Sequence, residues 1–358
     1  MNNKLIPAIA GLIVGVLITF LILSNNEPEV VEVVKEVEAP QVNTLDLVKD
    51  RGKLMCGSNT GLAGFGAPND AGVWEGIDVD VCRAVAAAVF GDANAVEFVP
   101  TSTKVRFTVL QSGEVDVLSR NTTWTLQRDV ELGLEFVGVN YYDGQGFMVR
   151  KDMGISSATE LDGASVCIQV GTTTEMNLAD YFTAQGMTYE SVPVETNSEA
   201  DAAYMAERCD VYTTDASGLY SSRAGYPDPT AHVVLPEIIS KEPLGPVVRG
   251  NDSEWADVVR WSLNAMIIAE EKGITSANVD DMIANSEDPE IQRLLGVKAG
   301  YGGWLGLSDD WAVNIIKQVG NYSESFEKHI GVNTPINIAR GLNALYNQGG
   351  ILYAPPFR

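Results

Sequence analysis

The sequence predicts an α/β protein made of two units, on three observations. The chain has 358 residues, which is the length of about two domains. Its hydrophobic content of 45% can fill a core in each. Apolar runs with strand character are repeatedly followed by stretches of helical periodicity, the order that produces parallel or mixed sheets.

The elements follow in order. "KLMCGSNTG", residues 53–61, reads as a short strand ending in a loop. "WEGIDVDVCRAVAAAVFGD" reads as a turn and a helix. Asp78 and Asp80 favour its N-terminus, Val81, Val85 and Val89 recur on one face, and Gly91 suits its stop. "AVEFVP" is a second strand, and "KVRFTVLQSGEVDVLS" is a helix ending near Gly113 followed by a strand from Val115 to Leu118. "GQGFMVRK" is a further strand, after which "LDGASVCIQVGTTTEMNLADYF" and "CDVYTTDASGLYSS" repeat the strand-then-helix scheme. "EIISKEPLGPVVRGND" is extended and carries prolines. Two extended segments, near residues 144–150 and 240–249, are placed to connect the units. A helix then starts at Ser253 as N-cap, and helical patterns return at Trp311–Gln318 and Ile336–Tyr346.

Charge and composition exclude several functions. A net charge of −24 opposes binding to nucleic acid, whose phosphates need basic partners, and to an anionic membrane surface. Two distant histidines, His232 and His329, offer neither a zinc site nor a histidine-based triad, so no metal or cofactor is expected. "GLAGFGAPND" lacks the spacing of a dinucleotide-binding loop, and there is no P-loop.

The N-terminus sets the compartment. Leu5–Leu23 is a 19-residue uncharged run behind Lys4, close to the length that spans a bilayer. No small-x-small cleavage site follows it, so residues 1–24 read as an uncleaved membrane anchor with the rest exported, a cleaved signal being the alternative. Residues 25–44, containing "NNEPEVVEVVKEVEAPQVN", form an acidic tether, in which "VVEVVKEVE" is a candidate short helix; fully extended it would reach about 60–70 Å. Outside the cytosol disulfides persist. Cys56, Cys82, Cys167 and Cys209 allow three connectivities, and pairing within each sequence cluster needs no staple between units; four buried thiols are the alternative.

Several stretches together resemble the bacterial extracellular solute-binding proteins for polar amino acids, family 3. They are "WEGIDVDVCRAVAAAV", "GEVDVLSRNTTWTLQRD", "VCIQVGTTTE" and "CDVYTTDASGLY", in the order and spacing of that family. The closing "NIARGLNALYNQGGILYAPPFR" resembles its general L-amino-acid-binding branch. The likeness spans residues 45–358. It implies a type II periplasmic-binding-protein fold, each lobe a mixed sheet flanked by helices, with a helical C-terminal extension on lobe 1. Lobe 1 would comprise residues 45–146 and 245–358, and lobe 2 residues 147–244, closing on ligand by hinge motion.

The resemblance also implies a site. A free amino acid presents a carboxylate and an ammonium close together. A guanidinium matches the carboxylate with two parallel hydrogen bonds, and Arg128 occupies the family's arginine position. Asn121 and Thr123 would add backbone and side-chain hydrogen bonds. Thr172 and Thr173, at a strand-to-helix junction, would donate to the same carboxylate from the other lobe. Asp215, at a strand end, would take the ammonium. Asn59 stands where basic-amino-acid binders carry an acid, so a neutral pocket of broad specificity is expected. Leu62 replaces an aromatic lid, leaving Phe65, Trp74 and Trp124 as alternative walls. The function implied is extracytoplasmic capture of free L-amino acids by a monomer that serves the membrane subunits of an ABC permease. A dehydratase-like enzyme of the same fold and a tethered sensor are the alternatives.

Overall fold

The computed structural model describes residues 43–59 and 61–358; the apolar N-terminal run and most of the tether, with its candidate helix, lie outside the described residues. The first element is helix α1 (Thr44–Arg51), capped by Asn43 and ended by Gly52 in the left-handed region. Then come β1 (Leu54–Ser58), a small ribbon of β2 (Ala67–Pro68) and β3 (Trp74–Glu75), α2 (Ile77–Phe90), β4 (Val96–Pro100), α3 (Arg106–Gln111), β5 (Val117–Leu118), β6 (Leu134–Phe136) and β7 (Tyr141–Asp143). The middle of the chain holds β8 (Gln145–Arg150), β9 (Ala164–Gln169), α4 (Thr173–Gln185), β10 (Tyr189–Val194), α5 (Asn197–Met205), β11 (Val211–Asp215), α6 (Ala216–Ala224) and β12 (His232–Val234). The chain continues through β13 (Glu242–Leu244), β14 (Val247–Arg249) and the helices α7 (Ser253–Glu271), α8 (Val279–Asn285), α9 (Pro289–Leu294), α10 (Trp311–Gln318) and α11 (Tyr322–His329). Among the described residues no helix is long and apolar enough to cross a membrane.

Two five-stranded sheets define two lobes. The first has the order β4-β1-β5-β14-β6 and the second β10-β9-β11-β8-β12. Each combines three parallel strands with an antiparallel pair. The chain leaves the first sheet through β7 and returns to it through β13. These two crossings pair antiparallel, with Glu242 opposite Asp143 and Leu244 opposite Tyr141. Gly245 follows at once because a Cβ there would lie 1.9 Å from the Gly138 carbonyl oxygen.

Alternation along the strands divides the second lobe's core into two faces. Phe147, Val149, Val166, Ile168 and Val211 pack with Leu178 and Phe182 on one side. Met148, Cys167 and Tyr212 pack with Tyr204 and Leu219 on the other. In the first lobe α2, α7, α10 and α11 supply most of the core, and Trp255 donates from its indole nitrogen to the Asp116 carbonyl at 2.9 Å. Cys56 on β1 is bonded to Cys82 on α2, and Cys167 on β9 to Cys209 just before β11, so each bridge stays within one lobe.

Local expectations differ from the structure at three places. Asp252, not Ser253, caps α7; its carboxylate takes the Trp255 N–H at 3.1 Å and also the Thr44 N–H at 2.8 Å, a second load a serine could not carry. Ile336–Tyr346 is not an α-helix. Asn337 and Gly341 have φ of 57° and 50°, which an α-helix excludes, and only a 3-10 turn at Gly341–Asn343 remains. That tail instead lies against the helices through Arg340, which chelates Glu270 at 2.9 and 3.0 Å and covers the Phe326 ring at 4.8 Å. Finally, Asp78 and Asp80 serve more than the start of α2. Asp78 accepts from Asn121 N (2.6 Å) and Asn140 Nδ2 (2.8 Å), while Asp80 holds Ser325 and His329 of α11 at 2.8 and 2.9 Å.

Candidate binding cleft between the lobes

Parallel strands turn into loops and helices at their C-terminal ends, where backbone groups and short polar side chains are free to face a ligand. In this fold those ends meet from both sheets. β1 delivers Asn59 and β5 delivers Ser119–Thr123, while β9 leads to Thr172 and Thr173 and β11 ends at Asp215. Direct inter-lobe hydrogen bonds hold the two sides together. Thr103 Oγ1 donates to Val170 O (2.9 Å), Ser221 Oγ to Ala63 O (2.7 Å) and Asn59 Nδ2 to Asn197 Oδ1 (3.1 Å).

The first lobe contributes three guanidiniums. Arg128 sits in a short π-helical turn, Gln127–Glu131, with 6% of its surface exposed. Its Nη1 donates to the Thr123 carbonyl at 2.8 Å, and the group lies 5.2 Å from the centre of the Phe107 ring. Arg106 and Arg120 are each 2% exposed. Arg120 Nε donates to Thr101 O at 2.9 Å, whereas Arg106 Nε has no hydrogen-bond partner among the described residues. Loss of solvent pulls Arg120 and Arg128 down to about 10. Among the described residues none of the three forms a salt bridge.

Facing them are three carboxylates, likewise without a salt bridge among the described residues. Asp215 is 7% exposed, and its Oδ1 is buried with no hydrogen-bond partner there. It stands at the N-cap position of α6 but makes no capping bond, so helix capping does not account for it. Burial, with Asp143 and Glu242 nearby, raises its pKa well above the ordinary aspartate value, against the pull of Arg106 and Arg128. Asp143 accepts from Ser217 Oγ and from Gly144 N; burial first and then Glu242 push it up to about 6. Glu242, 1% exposed, is saturated. Its Oε2 takes Thr123 Oγ1 (2.6 Å) and Thr173 Oγ1 (2.8 Å), and its Oε1 takes Ser240 Oγ (2.6 Å) and Asn177 Nδ2 (2.7 Å).

The remaining residues singled out in the sequence divide into two groups. Asn121, in the left-handed region at φ 34°, accepts from Asn59 Nδ2 at 3.1 Å, two residues before Thr123. Thr173 faces Thr123 across the lobes at 3.3 Å between hydroxyl oxygens. Thr172 is the N-cap of α4; its hydroxyl accepts from Glu175 N (3.1 Å) and donates to Gln169 O (2.6 Å). The Asn59 amide is fully engaged, donating to Asn121 and Asn197 and accepting from Gly61 N at 3.1 Å. Leu62 and Phe65 are core residues, with Phe65 edge-on to Tyr141 at 5.2 Å. Trp74 stacks on Phe98 and Trp124 on Phe136.

Sequence reasoning passed over Arg106, Arg120, Asp143 and Glu242. The available signal was charge inside otherwise apolar or proline-bearing segments, as in "DVLSR" and "KEPLG". Such isolated charges are rarely buried unless something pairs with them.

Two mixed sheets joined by paired crossing strands, with strand ends facing across a charged cleft, make a two-lobed solute receptor. The chain belongs to the bacterial extracellular solute-binding proteins, family 3, whose pattern its residues 54–295 match. It is 58% identical over 320 residues to the glutamate/glutamine/aspartate/asparagine-binding protein of Rhodobacter capsulatus, covering 89% of this chain and 95% of the relative. It is 59% identical over 322 residues to a general L-amino acid-binding periplasmic protein of Rhizobium johnstonii, covering 89% and 94%. A solved ABC-transporter periplasmic binding protein from Brucella ovis, with glutathione bound, superimposes with a TM-score of 0.86 at 58% identity, covering 88% of this chain and all of that one.

Proposed function

We propose that the protein captures free L-amino acids outside the cytoplasm and delivers them to the membrane subunits of an ABC permease. One observation carries this reading. Three buried guanidiniums of the first lobe lie near Asp215 at a strand end of the second sheet and near Asp143 and Glu242 on the crossing strands, and none of the six forms a salt bridge among the described residues. Separated buried charges are costly unless each finds a counter-charge, and a zwitterion supplies both signs at once. Its carboxylate meets Arg128 and the N-terminal N–H groups of α4, and its ammonium meets Asp215. The Thr123 and Thr173 hydroxyls each have a single proton, directed to Glu242, so toward the ligand they offer acceptor oxygens. That changes the role expected of Thr173 from donor to acceptor.

In this reading residues 45–146 with 245–358 form one lobe and 147–244 the other, except that Gln145 and Gly146, already paired with β11, go with the second sheet, and the lobes rotate about β7 and β13. The protein acts as a monomer, and Leu5–Leu23 anchors it to the cytoplasmic membrane. It needs no cofactor and performs no chemistry.

Titration calorimetry of the full chain against the common amino acids tests the reading. Arg128→Ala is expected to cost about 3–5 kcal/mol of binding, a hundred- to several-thousand-fold. Arg128→Lys is expected to be severely impaired as well, since an ammonium cannot reproduce the paired bonds. Near-native affinity in either variant, or turnover of an amino acid to product, would refute it.

A further inference from the structure

The segment after residue 295 lies beyond the stretch that matches the family pattern, and it grips the first crossing strand from outside. β7 and β13 alone form a two-stranded ribbon, and such a ribbon is marginal unless its free edges are partnered. In an antiparallel pair alternate residues turn their backbone groups away from the partner strand. Tyr142 is such a residue, since it stands opposite Pro243, which has no N–H to give. Its N–H donates to Asn343 Oδ1 at 2.7 Å, and its carbonyl accepts from Asn343 Nδ2 at 3.0 Å. One side-chain amide thus takes the place of a neighbouring strand's peptide group. Two residues earlier, Tyr322 of α11 donates from its hydroxyl to the Asn140 carbonyl at 2.7 Å.

Asn343 is held for this task by its own turn. It is 3% exposed and closes the 3-10 turn that Gly341 begins. Arg340 donates from Nε and Nη2 to the Asn343 carbonyl at 3.0 and 2.8 Å, and Glu270 fixes the same guanidinium. On the other edge of the ribbon, Trp124 N donates to the Pro243 carbonyl at 2.8 Å. The first lobe therefore holds both edges of the ribbon at the pair Tyr142 and Pro243. One residue further, the attachments change lobe. Asp143 accepts from Ser217 Oγ of α6, and the Gly144 carbonyl accepts from Ala216 N at 2.8 Å.

We propose that the segment after residue 295 is a hinge brace in which Asn343 is a positioning residue for ligand capture. It fixes Tyr142 to the first lobe and confines closure to the junction of Tyr142 with Asp143. The inference rests on the reading of two lobes that close on an amino acid, and adds where the pivot lies and what holds it. Without the brace, Tyr142 gains backbone freedom in the open protein, and closure takes that freedom away again at an entropic cost. The brace removes this cost before ligand arrives. Among the described residues the Asn343 side chain bonds only to Tyr142, so it reaches the ligand through the hinge alone.

The test joins calorimetry on the full chain, with the common L-amino acids as titrants, to solution scattering on the same samples. Asn343→Leu keeps the side chain's size and removes both bonds to Tyr142. It is expected to weaken affinity about fivefold or more and to enlarge the radius of gyration of the free protein, leaving that of the saturated protein unchanged. Should Asn343→Leu fail to fold, Asn343→Asp decides. It keeps the acceptor for the Tyr142 N–H and loses the donor, and is expected to weaken affinity about threefold or more with the same enlargement. Phe357→Ala separates bracing from general loosening of the tail. It removes the ring contacts with Trp261 and Tyr301, and is expected to lower the melting temperature while affinity and free radius stay as they were. Either quantity unchanged in the Asn343 variants, or an equal loss of affinity in Phe357→Ala, would overturn the inference while leaving amino-acid capture intact. Absence of binding by any amino acid to the unaltered protein, or binding without contraction, would instead overturn the reading beneath it.

Discussion

Glu242 governs what two neighbouring hydroxyls can offer a ligand, since it takes the protons of both Thr123 and Thr173. Glu242→Gln replaces an acceptor surrounded by four donors with a group that is itself half donor. It is expected to lower unfolding free energy by about 2–3 kcal/mol, read by denaturant titration. Asp143 adds a pH dependence. Its pKa rises from 3.8 to about 6 in the folded, ligand-free protein, so between those values the folded state holds a proton that the unfolded chain has released. Stability without ligand is therefore expected to fall as pH rises from about 4 to about 6. An ammonium arriving nearby pulls the carboxyl down again, so binding expels a proton and affinity rises over the same window by up to about tenfold per pH unit. Calorimetry in buffers of different ionisation enthalpy checks this, and a binding enthalpy indifferent to buffer would contradict the placement of the ammonium. Arg128 and Asp215 were singled out in the sequence through stretches that resemble the family's, and both are buried in the structure. Arg106, Arg120 and Glu242 were not. A single charge in an apolar stretch becomes informative only once the fold shows that it is buried.

Among the elements, the strand-to-helix alternation was readable along most of the chain, because burial on one face imposes a period that composition cannot hide. The segment Ile336–Tyr346 misled because its apolar spacing mimics a helix, while Leu342 and Tyr346 are in fact exposed and Asn337 and Gly341 take helix-breaking angles. The crossing strands are held by a contact that sequence does not encode locally, the approach of Gly245 to the Gly138 carbonyl. Gly245→Ala is expected to destabilise the fold by about 2–3 kcal/mol, measurable as a drop in melting temperature. In the second lobe Cys167–Cys209 closes a span of 42 residues around β9 and β10. Replacing both cysteines with serine is expected to cost about 2–4 kcal/mol of stability in denaturant titration.

For the whole molecule, the lobes meet through few direct hydrogen bonds, and each disulfide lies inside one lobe. Ligand is therefore expected to shift the balance between open and closed forms, seen as a smaller radius of gyration in solution scattering on adding amino acid. Ser221→Ala removes one hydrogen bond between the lobes, to the Ala63 carbonyl; if the lobes close on ligand as proposed, it is expected to weaken affinity by about 1 kcal/mol, roughly fivefold, in calorimetry. The pairing of Glu242 with Asp143 across β13 and β7 has a further effect. On the proposed hinge, two carboxylates sit on the strands about which the lobes would rotate, and the amine of an incoming amino acid would neutralise charge at the pivot itself. A deaminated analogue, a plain carboxylic acid of the same skeleton, would dock on the arginines yet leave that repulsion in place. It would occupy the protein without shutting it, and so would compete for entry while being a poor passenger.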